Sequence, residues 1–233
     1  MTNFFIGHVA RLYFWSQGIT VRCATTPQKL AQAYALRKRV QTAEGYCCRR
    51  GYPDEYDLHS DIIVAYHYGI PVGCLRLTDL SIGALGYDLC NPIIPQGIPF
   101  GNILECRDLV VDPQFRSKNS LVFLALTEFA YRQSRQLGYS HWYGLALPTQ
   151  LRHFSKFAGY FQFLAKGSTT ATLLEKRSRD VAYFLKYGEQ LQPFLLDLKR
   201  VSYLPGARVL FKGMPKKQRQ LVKAEMREQR QAA

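Results

Sequence analysis

Two carboxylates three residues apart, Asp54 and Asp57 in Asp54-Glu55-Tyr56-Asp57, can do general acid–base work, or can pair with Arg37, Arg39 or Arg76. Arg76 stands in an otherwise apolar run, Val72-Gly73-Cys74-Leu75-Arg76-Leu77-Thr78, where a guanidinium needs a partner to be buried. Glu105 reads either as a proton acceptor or as the ion-pair partner of Arg107. Arg116 and Lys118 open a helix and can hold a phosphate or lie solvated. The six cysteines (23, 47, 48, 74, 90, 106) form no Cys-x-x-Cys pair and read as reduced thiols. No His, Cys and carboxylate cluster has metal-ligand spacing, so no metal is expected.

The elements that must position these residues can be read from period and punctuation. Ile19 to Ala24 alternates as a strand and stops at Thr25-Thr26-Pro27. Thr26 and Pro27 are a cap and first-turn proline for a helix through Leu30, Ala33, Tyr34, Leu36, Arg37 and Val40, ended by Gly45. Residues 46–60 form a polar, aromatic loop. Residues 62–68 and 72–78 are hairpin strands around a turn at Gly69-Ile70-Pro71. Residues 80–101, rich in Gly and Pro, read as a long loop. A strand over 103–111 precedes a helix from Leu121 to about Leu137, stopped by Gly138. A strand over 142–147, a short helix over 151–158 and a strand over 161–165 follow. Residues 172–200 read as helical, 208–211 as a short strand, and 215 onward as a charged helix or tail. This order predicts an α/β domain with a mixed sheet over 19–167. Residues 1–18 form an N-terminal amphipathic segment before it, and 168–233 a basic, mainly helical C-terminal extension after it.

The chain has 233 residues and a formal net charge of +14, so its surface favours an acidic partner. From Lys199 onward there are ten basic and two acidic residues, about +8 of that total. Aromatics are sparse in this tail, which argues against nucleic-acid recognition by base stacking. No apolar run approaches the length of a membrane span, and the opening residues make a poor signal peptide, so a cytoplasmic location is expected. The apolar Phe4, Phe5, Ile6, Val9, Leu12, Tyr13, Phe14 and Trp15 pack on the core, guard an acyl chain or meet an anionic membrane peripherally.

Over 19–164 the chain resembles the GNAT acyltransferases, and within them the acyl-carrier-protein-dependent branch of N-acyl amino acid synthases and acyl-homoserine-lactone autoinducer synthases. Four ordered pieces carry the resemblance. They are Leu36-Arg37-Lys38-Arg39-Val40 with Asp54-Glu55-Tyr56-Asp57, and Val72-Gly73-Cys74-Leu75-Arg76-Leu77 as a Gly-x-x-Arg-Leu strand. Next is Glu105-Cys106-Arg107-Asp108-Leu109-Val110-Val111-Asp112-Pro113 as a Ser-Arg-x-x-Val strand, and then the turn from Arg116. The resemblance implies a GNAT-like, mostly antiparallel central sheet flanked by helices. It also implies attack of an amine on an acyl-phosphopantetheine thioester.

Carried onto this chain, the resemblance makes Glu105, Arg107, Asp54, Asp57 and Arg76 catalytic candidates. Asp54 and Asp57 would orient or deprotonate the acceptor amine. Val110 and Val111 would offer backbone N–H groups to the thioester oxygen. Arg116, Ser117, Lys118, Asn119, Ser120 and Leu121 would form the donor turn. Arg37, Tyr143 and Leu145 would line the substrate site, with Tyr143 or Tyr160 protonating the leaving thiolate. Arg152 and Lys156 would dock the carrier.

Departures from the family pattern narrow this. Asn119 and Leu121 replace the small residues that admit a CoA pyrophosphate, which favours acyl-phosphopantetheine on an acidic acyl carrier protein over acyl-CoA. No tightly bound cofactor is needed. Leu104 stands where autoinducer synthases carry Glu three before the Arg, and Tyr52 where they carry Glu. Both count against S-adenosylmethionine and favour another amine acceptor. The leading expectation is an N-acyltransferase making N-acyl amino acids from medium or long acyl chains. The alternatives are an autoinducer synthase, an acetyl-CoA acetyltransferase, or a non-enzymatic basic binding module on the same fold.

Overall fold

Central strands buried on both faces build one sheet with two differently covered sides. A computed structural model describes residues 10–45, 53–116, 121–148, 151, 162–167, 191–201 and 220. Ser117, Lys118, Asn119, Ser120, Arg152, Lys156, Tyr52, Tyr160 and the readings over 172–190, 208–211 and 215–219 lie outside those residues. A helical segment, α1 (10–16), is followed by β1 (Ile19–Cys23), α2 (Pro27–Ala43), β2 (Ser60–His67) and β3 (Ile70–Asp79). Then come α3 (Leu85–Cys90), β4 (Ile103–Val111), α4 (Leu121–Gln136), β5 (His141–Ala146), β6 (Gln162–Phe163) and β7 (Gln192–Asp197). The seven strands lie in the order β1-β2-β3-β4-β5-β7-β6. Every neighbouring pair is antiparallel except β4 and β5, which α4 connects as a parallel crossover.

The sheet's faces follow from the strand period. Ile63, Ala65, Leu75, Leu77, Leu104, Trp142 and Ala146 pack against Val122, Ala125 and Leu126 of α4. On the other face, Ile62, Val64, Tyr66, Cys74 and Val110 meet Ala33, Leu36 and Val40 of α2. Thr26 caps α2 by accepting from the Lys29 N–H at 3.3 Å, and Pro27 occupies its first turn. Farther along that second face, Ile103, Tyr143 and Leu195 pack with Leu80, Ala84 and Leu164. Arg76 and Glu105 lie on the same face as these two clusters, between them in register.

Three expectations are corrected. The hairpin turn is Tyr68-Gly69, both with positive φ (46° and 84°), and Ile70 already pairs with His67. Positive φ at both central residues is the two-residue turn that matches strand twist. Residues 80–101 are not wholly loop: α3 lies within them, with Ala84 and Leu89 fully buried. Residues 192–197, expected to be helical, form β7 between β5 and β6, so the sheet extends beyond the domain end expected at Gly167. Pro193 to Leu196 are all buried, and a strand covered on both faces is a continuous apolar run that period alone cannot tell from helix. Among the described residues Cys23, Cys74, Cys90 and Cys106 form no disulfide. No described helix is long and apolar enough to cross a membrane.

Candidate active site

Arg37 and Arg76 are buried because three carboxylates meet them. Arg37 lies on the inward stripe of α2 with Ala33, Leu36 and Val40. Its Nη1 donates to Asp57 Oδ1 at 2.7 Å and its Nη2 to Asp108 Oδ2 at 2.6 Å. Arg76, at the middle of β3, donates from Nη1 to Asp54 at 2.8 and 2.9 Å and to Asp57 Oδ1 at 3.1 Å. Its Nη2 lies 3.2 Å from Asp108 Oδ2, an ion pair without hydrogen-bond alignment. Arg107, directly opposite Arg76, places Nε 3.8 Å from Asp108 Oδ1. The cations outweigh burial at Asp108 and hold its carboxyl well below the usual range.

Asp54 and Asp57 therefore brace a loop rather than stand free as bases. Asp54 Oδ1 also accepts from the N–H groups of Tyr56 and Asp57, and Asp57 Oδ2 accepts from the Asp54 N–H. These bonds fold residues 54–57 into a tight turn over the two guanidinium groups. Their expected part in deprotonating an amine gives way to site architecture, because both oxygens of each are already engaged.

Asp108 is a residue of the candidate site that the sequence does not single out. It has φ +52°, and the β3–β4 register slips around it: Arg107 pairs with Arg76 and Val110 with Cys74, so Asp108 and Leu109 together face Leu75. This is a β-bulge whose left-handed residue is an aspartate held by arginines from α2 and β3. The one available signal is a charged residue following Arg107 at the head of Leu109-Val110-Val111.

Beyond the bulge the expected N–H donors separate. Asp112 N–H donates to the Val72 carbonyl at 2.8 Å, and Val111 and Val110 pair with Gly73 and Cys74. Antiparallel alternation then turns the Val110 N–H into β3 and the Val111 N–H away from it. Val110 is thereby withdrawn as a donor. Val111 lies six residues from Glu105, roughly 17–20 Å along a strand, too far for both to serve one reacting centre.

Glu105 sits where β4 and β5 part. The strands pair only through Ile103, Leu104 and Glu105 with His141, Trp142 and Tyr143, and β5 continues against β7 while β4 continues against β3. The Glu105 side chain is buried, and burial raises its carboxyl above the usual value despite Arg107 and Arg76 nearby. The Gly86 N–H on α3 donates to it, and Glu105 Oε2 has no hydrogen-bond partner among the described residues. Tyr143, beside Glu105 on β5, donates its hydroxyl to the Gly86 carbonyl at 3.1 Å, and burial holds it as a neutral phenol. Leu145 packs into the same cluster. Gly86 thus joins Glu105 to Tyr143, a link unreadable in a stretch whose composition is that of a loop.

A side chain at Gly86 would strike the Glu105 carboxylate and come within 3.3 Å of Leu145 Cδ1. Gly86→Ala is expected to displace Glu105 and cost about 1–3 kcal/mol, read from the urea midpoint. An unchanged midpoint would mean that α3 does not clamp Glu105.

The donor-turn residues within the described part do other work. Arg116 Nε donates to the Val111 carbonyl at 2.7 Å, and its Nη1 pairs with Glu44 at the end of α2. It braces the end of β4. Leu121 packs against the α4-side core. Among the described residues no group of His, Cys, Asp and Glu is placed to hold a metal ion.

No family model matches this chain and no curated protein matches it by sequence. Its fold does match solved structures. It is similar to FeeM, an N-acyl amino acid synthase from uncultured soil microbes, with TM-score 0.54 and 11% identity over 78% of this chain and 91% of that one. It is similar to the AHL synthase LasI, with TM-score 0.53 and 13% identity over 77% and 90% of the two chains. Escherichia coli ElaA matches with TM-score 0.51 and 12% identity over 77% and 99%. The protein has the GNAT acyltransferase fold, as the resemblance implied.

Proposed function

We propose that the protein is an N-acyltransferase that moves a medium or long acyl group from an acyl-carrier-protein thioester to the amine of an amino acid. One observation carries this reading. A buried carboxyl of raised pKa, Glu105, stands at the opening between β4 and β5, with the β4 bulge beginning three residues beyond it at Asp108. The acyl-phosphopantetheine enters between the parted strands. The thioester oxygen lies at the bulge, where one residue of β4 lacks a β3 partner and its N–H can meet developing negative charge. The Val111 N–H, farther along the gap, binds the pantetheine arm.

Glu105 takes the proton from the incoming ammonium, a task suited to a carboxylate whose pKa burial has raised. The amine attacks the carbonyl, the tetrahedral intermediate collapses as the second proton of the attacking nitrogen passes to the leaving carrier thiolate, and Glu105 returns its proton to water. The Arg37–Arg76–Asp108 lattice holds the bulge in place while this happens. A chain of net charge +14 suits an acidic carrier.

The test is one incubation of purified protein with acyl-carrier proteins and acyl-CoAs of several chain lengths, pooled amino acids and S-adenosylmethionine, read by mass spectrometry. An N-acyl amino acid formed only from carrier thioesters is the expected product. A lactone would replace the acceptor, acetylation from CoA would replace the donor, and no product from folded protein would overturn the enzyme reading.

A further inference from the structure

Helix α1 is apolar on both sides, and only one side is covered. Ala10, Tyr13 and Phe14 are buried in the α4-side core. Leu12 and Trp15, three residues apart and so on one outer face, are 66% and 71% exposed. The turn after α1 carries this face to the β2–β3 hairpin: Gly18 N–H donates to the Trp15 carbonyl at 2.9 Å, and Tyr68 N–H donates to the Gly18 carbonyl at 2.9 Å. The Tyr68 ring lies over Gly18, where a Cβ would strike it. Tyr68 is 77% exposed and Ile70, across the turn, 66%. His67 stacks edge-on with Tyr68 at 4.6 Å and with Phe115 at 5.0 Å, which extends the aromatic surface to the residue before Arg116.

Single exposed apolar residues need no explanation, but four large ones at one corner of a molecule do. We propose that Leu12, Trp15, Tyr68 and Ile70 form a docking surface for an anionic lipid bilayer. The type of residue supports this occupant: Trp and Tyr favour the headgroup interface, with an apolar body inward and a polar tip in water. Charge complementarity supports the anionic lipid, since the chain carries +14 and Arg11 precedes Leu12 on α1. The surface arises from packing of α1 on the sheet and does not depend on the acyltransferase reading.

The molecule carries its own reporter. It has two tryptophans, and Trp142 is buried with its N–H donated to Ser134 at 2.8 Å, so only Trp15 can meet lipid. The full chain is mixed with phosphatidylcholine vesicles, with and without phosphatidylglycerol. Expected with phosphatidylglycerol are a blue shift of the exposed component and its quenching by brominated acyl chains, the buried component staying unquenched.

The variant Leu12→Ser/Trp15→Ser/Tyr68→Asn is expected to lower vesicle co-sedimentation at least about tenfold with an unchanged melting curve. Asn at 68 tolerates the positive φ there. Should that variant misfold, Ile70→Asp alone, which removes apolar area and adds a negative charge, is expected to weaken binding. Equal co-sedimentation of wild type and variant would place lipid attraction on charge elsewhere and overturn the proposal. So would no binding to either vesicle, or a dimer in sedimentation equilibrium that Trp15→Ser dissolves.

Discussion

Replacing Arg76 by Met is expected to cost about 3–5 kcal/mol of folding stability, the range for removing one partner of a buried charge group. Arg76 is fully buried and meets Asp54, Asp57 and Asp108 within 3.2 Å. Met keeps the packing volume, so the loss reports charge rather than a cavity. What remains is three carboxylates with Arg37 as the main neutralising cation, since Arg107 approaches Asp108 at 3.8 Å. Against a typical stability of about 5–15 kcal/mol this is a large fraction, and the melting point should fall by on the order of 10 °C.

The charge explanation has its own signature. Asp54→Asn keeps the Oδ1 acceptor for the Tyr56 and Asp57 N–H groups while removing a negative charge. It should destabilise the wild type but cost less, or even stabilise, in the Arg76→Met background. Additive losses, or a loss below about 1 kcal/mol for Arg76→Met, would show that the lattice does not hold the loop. Asp108 adds a pH test. Its folded pKa lies below the ordinary 3.8, so its contribution is whole above that value and disappears as pH falls through the folded pKa. Acid unfolding should therefore begin at higher pH in Arg76→Met, which relaxes the depression at Asp108.

Part of this lattice is legible in the amino-acid sequence alone. An arginine inside an apolar strand demands a partner, and Asp54 and Asp57 are nearby carboxylates of the right kind. The helix holding Arg37 is equally plain, with Thr26, Pro27 and an inward stripe all agreeing. Asp108 is hidden because a bulge is a disagreement between two strands over register, and neither strand alone encodes it. The left-handed backbone there belongs to Asp, not Gly, so no glycine marks the place. Gly86 is hidden for a related reason: a six-residue helix among Gly and Pro has too few turns to show a period. β7 fails in the opposite direction, with so many apolar residues that no face can be distinguished.

Glu105→Gln is expected to lower acyl transfer by about 10²–10⁴-fold while leaving the protein as stable as the wild type or more so. The two effects have one cause. Burial raises the Glu105 pKa, so the fold favours the neutral acid. As pH rises from the unfolded value near 4.5 through the raised folded value, the unfolded state loses its proton first, and stability falls. Gln is neutral at every pH and removes that penalty, keeping one carbonyl oxygen for the Gly86 N–H. The same rise in pKa should appear as the acid limb of the pH–rate profile. Activity should be lost as pH falls through a value above 4.5, because the protonated acid cannot take a proton from the ammonium. That limb should vanish from the residual activity of Glu105→Gln. A structural carboxylate predicts the reverse pattern: lower stability, near-normal turnover in the fraction still folded, and an unchanged acid limb. If Glu105→Gln turns over like the wild type, the proton acceptor is another group, and the gap between β4 and β5 binds the donor without Glu105 taking part.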